Sequence, residues 1–279
     1  MNRIGINLWN WVVSLDQDCI PLIEHVARLG FTAVELPMSI PALPNVNEIK
    51  NTIQRLGLEV SLCASMTAGR DISHADQAVR KATETYLRGC IDTAAALGAR
   101  VFAGPLYAGG GKRHQLEEPA RQAEWGRAAR GLRSLADYAA DKGVRLALEP
   151  INRYRTSVVN TTAQALAMVK DIGRDNVGVH FDTYQSCIED ESVCGALQKV
   201  LEANKLFHFH ACANHRGAPG TGHLPWQEII SLLKTYGYQG HVTMETFCPG
   251  ALDAGWVPLA ESQDALALTG LGFLKAHLQ

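Results

Sequence analysis

The sequence is poor in features that would assign it quickly. No apolar run approaches the roughly 18–20 residues of a membrane span, so no membrane association is expected. There is no block of like charges: 26 Lys and Arg face 28 Asp and Glu, giving a net charge of −2 and a pI near 6.5. A broad nucleic-acid surface or a polybasic membrane patch is therefore not expected. No G-x-G-x-x-G follows the first strand pattern, which removes support for a dinucleotide-binding sheet. Gly109-Gly110-Gly111-Lys112 lacks the upstream glycine and the Ser/Thr of a phosphate-binding loop and reads as a flexible connection. The seven cysteines, Cys19, Cys63, Cys90, Cys187, Cys194, Cys212 and Cys248, are odd in number and form no C-x-x-C pair. They read as buried, reduced thiols of a cytoplasmic protein. Met1-Asn2-Arg3-Ile4-Gly5 enters a strand pattern without an apolar leader or cleavage site, so no secretion signal is expected. No Pro/Gly/Ser-rich linker divides the chain, and residues 1–279 are read as one domain.

What is present is alternation. Hydrophobic residues make up 47% of the chain, enough for a sizeable core. Short apolar runs alternate with longer amphipathic ones. Strands are predicted at Ile4–Leu8, Ala33–Leu36, Glu59–Ala64, Arg100–Ala103, Val144–Leu148, Val177–Phe181, Leu206–Phe209 and Val242–Met244. Helices are predicted at Cys19–Leu29, Val46–Leu56, Asp76–Leu97, Glu118–Lys142, Thr161–Ile172, Val193–Ala203, Trp226–Tyr236 and Leu259–His277, several closed by glycine. Eight strand–helix units of roughly 30 residues favour an α/β fold of the closed (β/α)8 TIM-barrel type over an open doubly wound sheet.

In such a barrel, chemistry sits at the carboxyl ends of the strands. Strand five ends on Glu149 followed by Pro150, which lacks an N–H and forces its predecessor to extend. Strand six ends on Asp182, strand seven on His208-Phe209-His210 and strand eight on Glu245. Four consecutive strands thus bring Glu, Asp, His and Glu to one rim. Three converging carboxylates would repel one another unless a cation joined them. Three hard oxygens and one imidazole suit Mn²⁺, Mg²⁺ or Co²⁺ better than a thiolate-preferring structural zinc site. His208 and His210 share a strand face. His210, nearer the rim, is read as ligand and His208 as its support one layer deeper, in reach of substrate. His180 and His241 are read as structural.

The residues Gly104-Pro105-Leu106-Tyr107, Leu148-Glu149-Pro150-Ile151-Asn152-Arg153-Tyr154, Asn160-Thr161, Asp182-Thr183, His208-Phe209-His210, Asn214, Met244-Glu245 and the loop Arg216–Trp226 carry a resemblance, as does Ala68–Ser73 upstream. The chain resembles the sugar isomerase/epimerase family with the xylose-isomerase-like barrel, most of all its ketose 3-epimerase branch, nearly end to end. The resemblance implies that Glu149, Asp182, His210 and Glu245 hold one divalent metal, often manganese. It implies that Glu149 and Glu245 act as acid and base on opposite faces of the substrate, and that the protein forms dimers or tetramers. An ion chelating a ketone and its neighbouring hydroxyl would acidify the adjacent C–H and stabilise an enediolate. Return of the proton from the opposite face gives epimerisation; return to the neighbouring carbon gives isomerisation.

Two positions depart from the pattern. Gln185 stands where the epimerases usually have a substrate-contacting His, and Arg155 where they usually have a Glu. A guanidinium suits a carboxylate or phosphate, so a keto-sugar acid or sugar phosphate is the expected substrate. Arg216 matches a position that reaches substrate, and Lys112 and Arg113 are expected to add positive charge. A β-keto acid would open a second reaction, decarboxylation through the same enediolate. Trp9, Trp11, Tyr107, Tyr154, Tyr184 and Trp226 are expected around the entrance, Trp11 and Tyr107 as substrate contacts, with Cys63-Ala64-Ser65-Met66 as a floor. A catalytically inert sugar-binding barrel is the reading from another class. A DNA-repair endonuclease on this barrel would need more His ligands and a basic groove.

Overall fold

In a computed structural model, residues 2–15, 18–113, 115–251 and 257–278 are described. Eight parallel strands close into a barrel in sequence order. They are β1 (Ile4–Asn7), β2 (Ala33–Met38), β3 (Glu59–Ala64), β4 (Val101–Gly104), β5 (Arg145–Leu148), β6 (Val177–Asp182), β7 (Leu206–Ala211) and β8 (Val242–Met244). Between them run α1 (Ile20–Leu29), α2 (Val46–Arg55), α3 (Gln77–Leu97), α4 (Glu118–Ala140), α5 (Thr162–Ile172), α6 (Thr183–Glu189), α7 (Val193–Glu202) and α8 (Trp226–Thr235), with α9 (Gln263–Leu278) last. The predicted strand order and barrel closure hold. β1 and β8 pair through Ile4–Val242, Gly5–Thr243 and Ile6–Met244.

Local chemistry sets the boundaries. Asp76 is the N-cap of α3, accepting from the Ala78 N–H, so the helix starts one residue later than predicted. Thr161 and Gln164 form a reciprocal capping box at α5. Gly104 has φ 122°, and a Cβ there would lie within 2.4 Å of the Ala64 carbonyl oxygen. Glycine alone lets β4 end so close to β3, beneath the cavity described below. Two short elements were not predicted. Leu8–Asn10 forms a 3-10 turn, capped by the Asn7 side chain on the Trp9 N–H. α6 is capped by Asp182, whose Oδ1 accepts from the Tyr184 N–H at 2.7 Å. The last helix starts at Gln263, later than Leu259.

Alternation divides each strand between two environments. One set, including Ile6, Leu36, Leu62, Phe102, Leu148, Val179, Phe181, Phe209 and Met244, joins the helices in the main apolar core. Burying each of these side chains contributes about 1.5–3 kcal/mol. The register partners Asn7–Glu35–Ser61, His180–His208 and Asp182–His210 belong to the other set, which faces the barrel axis. The axis is thus lined by polar groups, where barrels of this kind usually carry bulky branched residues. All seven cysteines are free, and all but half-buried Cys187 are buried. No described helix is long and apolar enough to cross a membrane.

Candidate active site

Each functional side chain reaches the carboxyl-end mouth for a local reason. The Glu149 N–H donates to the Gly104 carbonyl at 3.0 Å, extending the β4–β5 pairing until Pro150 ends it. Asp182 uses one oxygen to cap α6 and the other to pair with Arg216. Thr183 Oγ1 donates to the Cys212 carbonyl at 2.7 Å and accepts its N–H, tying the ends of β6 and β7 together. One donor atom each from Glu149, Asp182, His210 and Glu245 lies within 4.8 Å of the others, and all four residues are buried.

Arg216 lies among these acids. Its Nη1 donates to Asp182 Oδ2 at 2.7 Å and Glu245 Oε2 at 2.6 Å, and its guanidinium stacks 4.0 Å from the Tyr184 ring centroid. The Arg216 backbone is left-handed, with φ 63°. That conformation costs a non-glycine residue about 1–2 kcal/mol and places the guanidinium in the cluster.

The charges are arranged unequally. Burial, then the Glu245 and Asp182 charges, push the Glu149 carboxyl well above its ordinary range. Burial also raises Asp182, against the pull of Arg216. Burial would raise Glu245 too, but Arg216 and His210 bring it below its ordinary value. His210 Nδ1 lies 3.3 Å from Glu245 Oε1, yet it is buried with no hydrogen-bond partner among the described residues. An imidazole nitrogen left without a partner, beside three crowded carboxyls, is a donor set that fits a divalent cation.

Above the cluster opens a cavity. Glu149, Glu245, Arg216, Gln185, Arg155 and Tyr107 all line it. So do Trp9, Phe247 and the predicted floor, Cys63-Ala64-Ser65-Met66. Gln185 Oε1 accepts from the Asn152 N–H at 2.9 Å and from Asn152 Nδ2 at 2.7 Å. The backbone donor fixes the orientation of the amide, so Gln185 offers its NH2 to other partners. The Tyr107 ring is a wall only; its hydroxyl donates to the Val159 carbonyl at 2.9 Å.

Several expectations are corrected. Trp11 is not among the lining residues. Its indole N–H donates to Asp264 Oδ1 at 2.8 Å, and its ring meets His25 edge-on. Strand alternation put Trp9 and Trp11 on one side, but the 3-10 turn rotates them apart, and Trp9, stacked on Phe247, is the cavity wall. His208 is also absent from the lining. It lies one layer below His210, with Nε2 2.5 Å from Glu35 Oε2, too deep to meet a substrate. Lys112 brings no charge to the cavity, because its ammonium bridges Asp71 at 2.7 Å and Glu124 at 2.5 Å. Arg113 is exposed and does not line the cavity. Tyr154 is 67% exposed, and Trp226 is packed on Phe273. His241 pairs with Glu59, whereas His180 is buried against the His208 and His210 rings with neither ring nitrogen hydrogen-bonded among the described residues and Nδ1 3.7 Å from Glu149 Oε2.

The sequence reading passed over Glu35 and Phe247. A lone charge inside the apolar run Ala33–Met38 was the available signal for Glu35.

Residues 23–277 match the family described as Xylose isomerase-like TIM barrel. The chain belongs to that family. It is 34% identical over 287 aligned positions to an L-ribulose 3-epimerase of Mesorhizobium japonicum, covering 100% of this chain and 95% of that protein. It is 33% identical over 246 positions to a ketose 3-epimerase of Arthrobacter globiformis, covering 88% and 83%. A solved L-ribulose 3-epimerase superimposes with a TM-score of 0.92 at 32% identity, over 100% of this chain and 95% of that one. This member of the xylose isomerase-like family is thus an enzyme of the sugar epimerase and isomerase class, with a buried site suited to a metal ion.

Proposed function

We propose that this chain is a divalent-metal-dependent epimerase acting on the carbon beside the ketone of a keto-sugar, and that the substrate carries a carboxylate or phosphate. The observation that carries the reading is the pair Glu149 and Glu245, both lining the cavity and both members of the buried donor cluster. Two carboxyls facing one cavity can divide acid and base roles.

An ion held by Glu149, Asp182, His210 and Glu245, manganese first and magnesium or cobalt next on this oxygen-rich donor set, would polarise the ketone and make the adjacent C–H more acidic. Glu245, kept ionised by Arg216 and His210, takes the proton from carbon. The electron pair of that C–H bond passes into an enediolate. Glu149, the second carboxyl on the cavity wall, supplies the proton that forms the new C–H bond on the opposite face. Substrate and product are isomers, so no co-reactant is consumed. Gln185 is placed to donate its NH2 to a substrate oxygen, and Arg155 on the cavity wall supplies the charge that suits an anionic end.

The experiment is to incubate the manganese-loaded enzyme in D2O with neutral ketoses, ketose phosphates and keto-sugar acids. Deuterium should enter at the carbon beside the ketone, in both epimers, without CO2 release. Arg155→Ala should lower kcat/KM on the anionic substrate by at least about tenfold more than on a neutral ketose, as expected for a lost charge-assisted contact. CO2 release in place of exchange would make the enzyme a decarboxylase. Equal losses on both substrates would remove the anionic part of the proposal, and no exchange with any substrate would remove the epimerase reading.

A further inference from the structure

Beneath the candidate metal site lies a carboxylate that the proposed chemistry does not use. Glu35, in the middle of β2, is fully buried. Four groups converge on it. Oε1 accepts from Asn7 Nδ2 at 2.8 Å and meets His210 Nε2 at 2.5 Å. Oε2 accepts from Ser61 Oγ at 2.9 Å and lies 2.5 Å from His208 Nε2, off the line of a hydrogen bond. Burying an isolated carboxylate costs several kcal/mol, and these partners offset that cost. They also tie β1, β2, β3 and β7 together across the barrel axis.

We propose that Glu35 is a positioning residue that sets the tautomer and ring orientation of His210 for metal binding. The proposal rests on the metal site described under Proposed function. The two ring nitrogens of His210 face different groups: Nε2 meets Glu35, and Nδ1 looks toward Glu245 and the ligand cluster. A carboxylate can only accept, so Nε2 carries the proton and Nδ1 presents its lone pair to the cation. Carboxylate support of this kind typically changes metal affinity 10–100-fold. The neighbours of Glu35 make its own orientation unambiguous. The Asn7 amide can only donate through its nitrogen, so Oε1 must accept. An amide substituted here would keep its carbonyl on Asn7 and His210 and turn its NH2 toward Ser61 and His208, both able to accept. Glu35→Gln is therefore a conservative variant that retains the His210 tautomer, and Glu35→Leu is one that does not.

The test measures the manganese dissociation constant of the wild type, Glu35→Gln and Glu35→Leu, together with the melting temperature of each metal-free protein. It also records the ¹⁵N shifts of the His210 ring in the magnesium-loaded wild type. Glu35→Leu should bind manganese 10–100-fold more weakly, by the range such support normally gives. Glu35→Gln should recover most of that affinity. The ¹⁵N shifts should show a protonated Nε2 and an unprotonated, metal-bound Nδ1. Equal affinity in all three proteins would overturn the proposal. So would a proton on Nδ1, a reading that decides the question even where the Leu variant fails to fold. A wild type that binds no divalent ion would instead overturn the metal site itself, and this inference with it.

Discussion

The two halves of the barrel do different work. β5 to β8 deliver Glu149, Asp182, His210 and Glu245 at their carboxyl ends, where each can meet a metal or a substrate. β1 to β4 bring no candidate ligand to that cluster. They supply the wall and floor of the cavity at their ends and, one layer down, the polar set Asn7, Glu35 and Ser61. Chemistry and support are thus split across the axis and meet at His210, which touches Glu245 from its own half and Glu35 from the other. The division implies that damage to the second half removes the reaction, whereas damage to the first half loosens binding.

The hardest test of that division is to neutralise the proposed proton carriers. Glu149→Gln and Glu245→Gln should each lower kcat by about 10²–10⁴-fold, the usual contribution of a positioned acid or base. Both amides keep an oxygen for the ion, so manganese binding should fall far less than kcat. Assaying kcat and metal affinity side by side decides it. A loss of affinity that accounts for the whole loss of rate would mean the two residues only hold the metal.

A smaller effect should appear in the pH dependence of stability. Without metal, the folded Glu149 carboxyl lies well above its ordinary 4.5, and His210 lies well above 6.5 because Glu35 and Glu245 outweigh the effect of burial. Both groups bind protons more tightly folded than unfolded. His180 and His208, lowered by burial, act in the opposite sense up to about pH 6.5, so metal-free stability should fall as pH rises above about 6.5 toward the folded values of Glu149 and His210. Glu35, held well below 4.5 by His210 and His208 against the effect of burial, acts in the opposite sense only at lower pH. A cation competes with those protons, so manganese should stabilise more at pH 8 than at pH 6. For a chain of this size, each kcal/mol moves the melting temperature by about 2–4 °C. Melting curves at several pH values, with and without manganese, should converge toward acid. Parallel curves would mean the four residues do not bind the ion in competition with protons.

How much of this could be read from the sequence follows the same division. The second half was legible because its candidate ligands end strands, and strand ends are marked locally, as by Pro150 after Glu149. The support layer was not. Glu35 stands in Ala33–Met38 as a single charge in an apolar run, and its partner His210 lies 175 residues away, so only barrel closure brings them together. α6 was missed because Thr183–Glu189 carries β-branched and aromatic residues of modest helix propensity, and its cap is the candidate ligand Asp182 itself. Lys112 was read as facing substrate because a loop lysine shows no partner in sequence. Its partners, buried Asp71 and Glu124, come from separate elements.

The smallest predicted effect separates two tryptophans that looked equivalent in sequence. Trp9 is 5% exposed, stacks on Phe247 with ring centroids 5.5 Å apart and lines the cavity. Trp11 faces away, to Asp264 and His25. Trp9→Ala removes part of the wall against which the far end of a sugar would rest. A lost apolar contact of this kind is worth about 1–3 kcal/mol, so KM should rise about 10-fold or more with a smaller change in kcat. Trp11→Phe removes one hydrogen bond, costs about 1 kcal/mol of stability and should leave KM unchanged. Steady-state kinetics and melting temperatures of the two variants check this. If Trp11→Phe raised KM as much as Trp9→Ala, the substrate would extend past the 3-10 turn, and the cavity wall would have to be redrawn to include it.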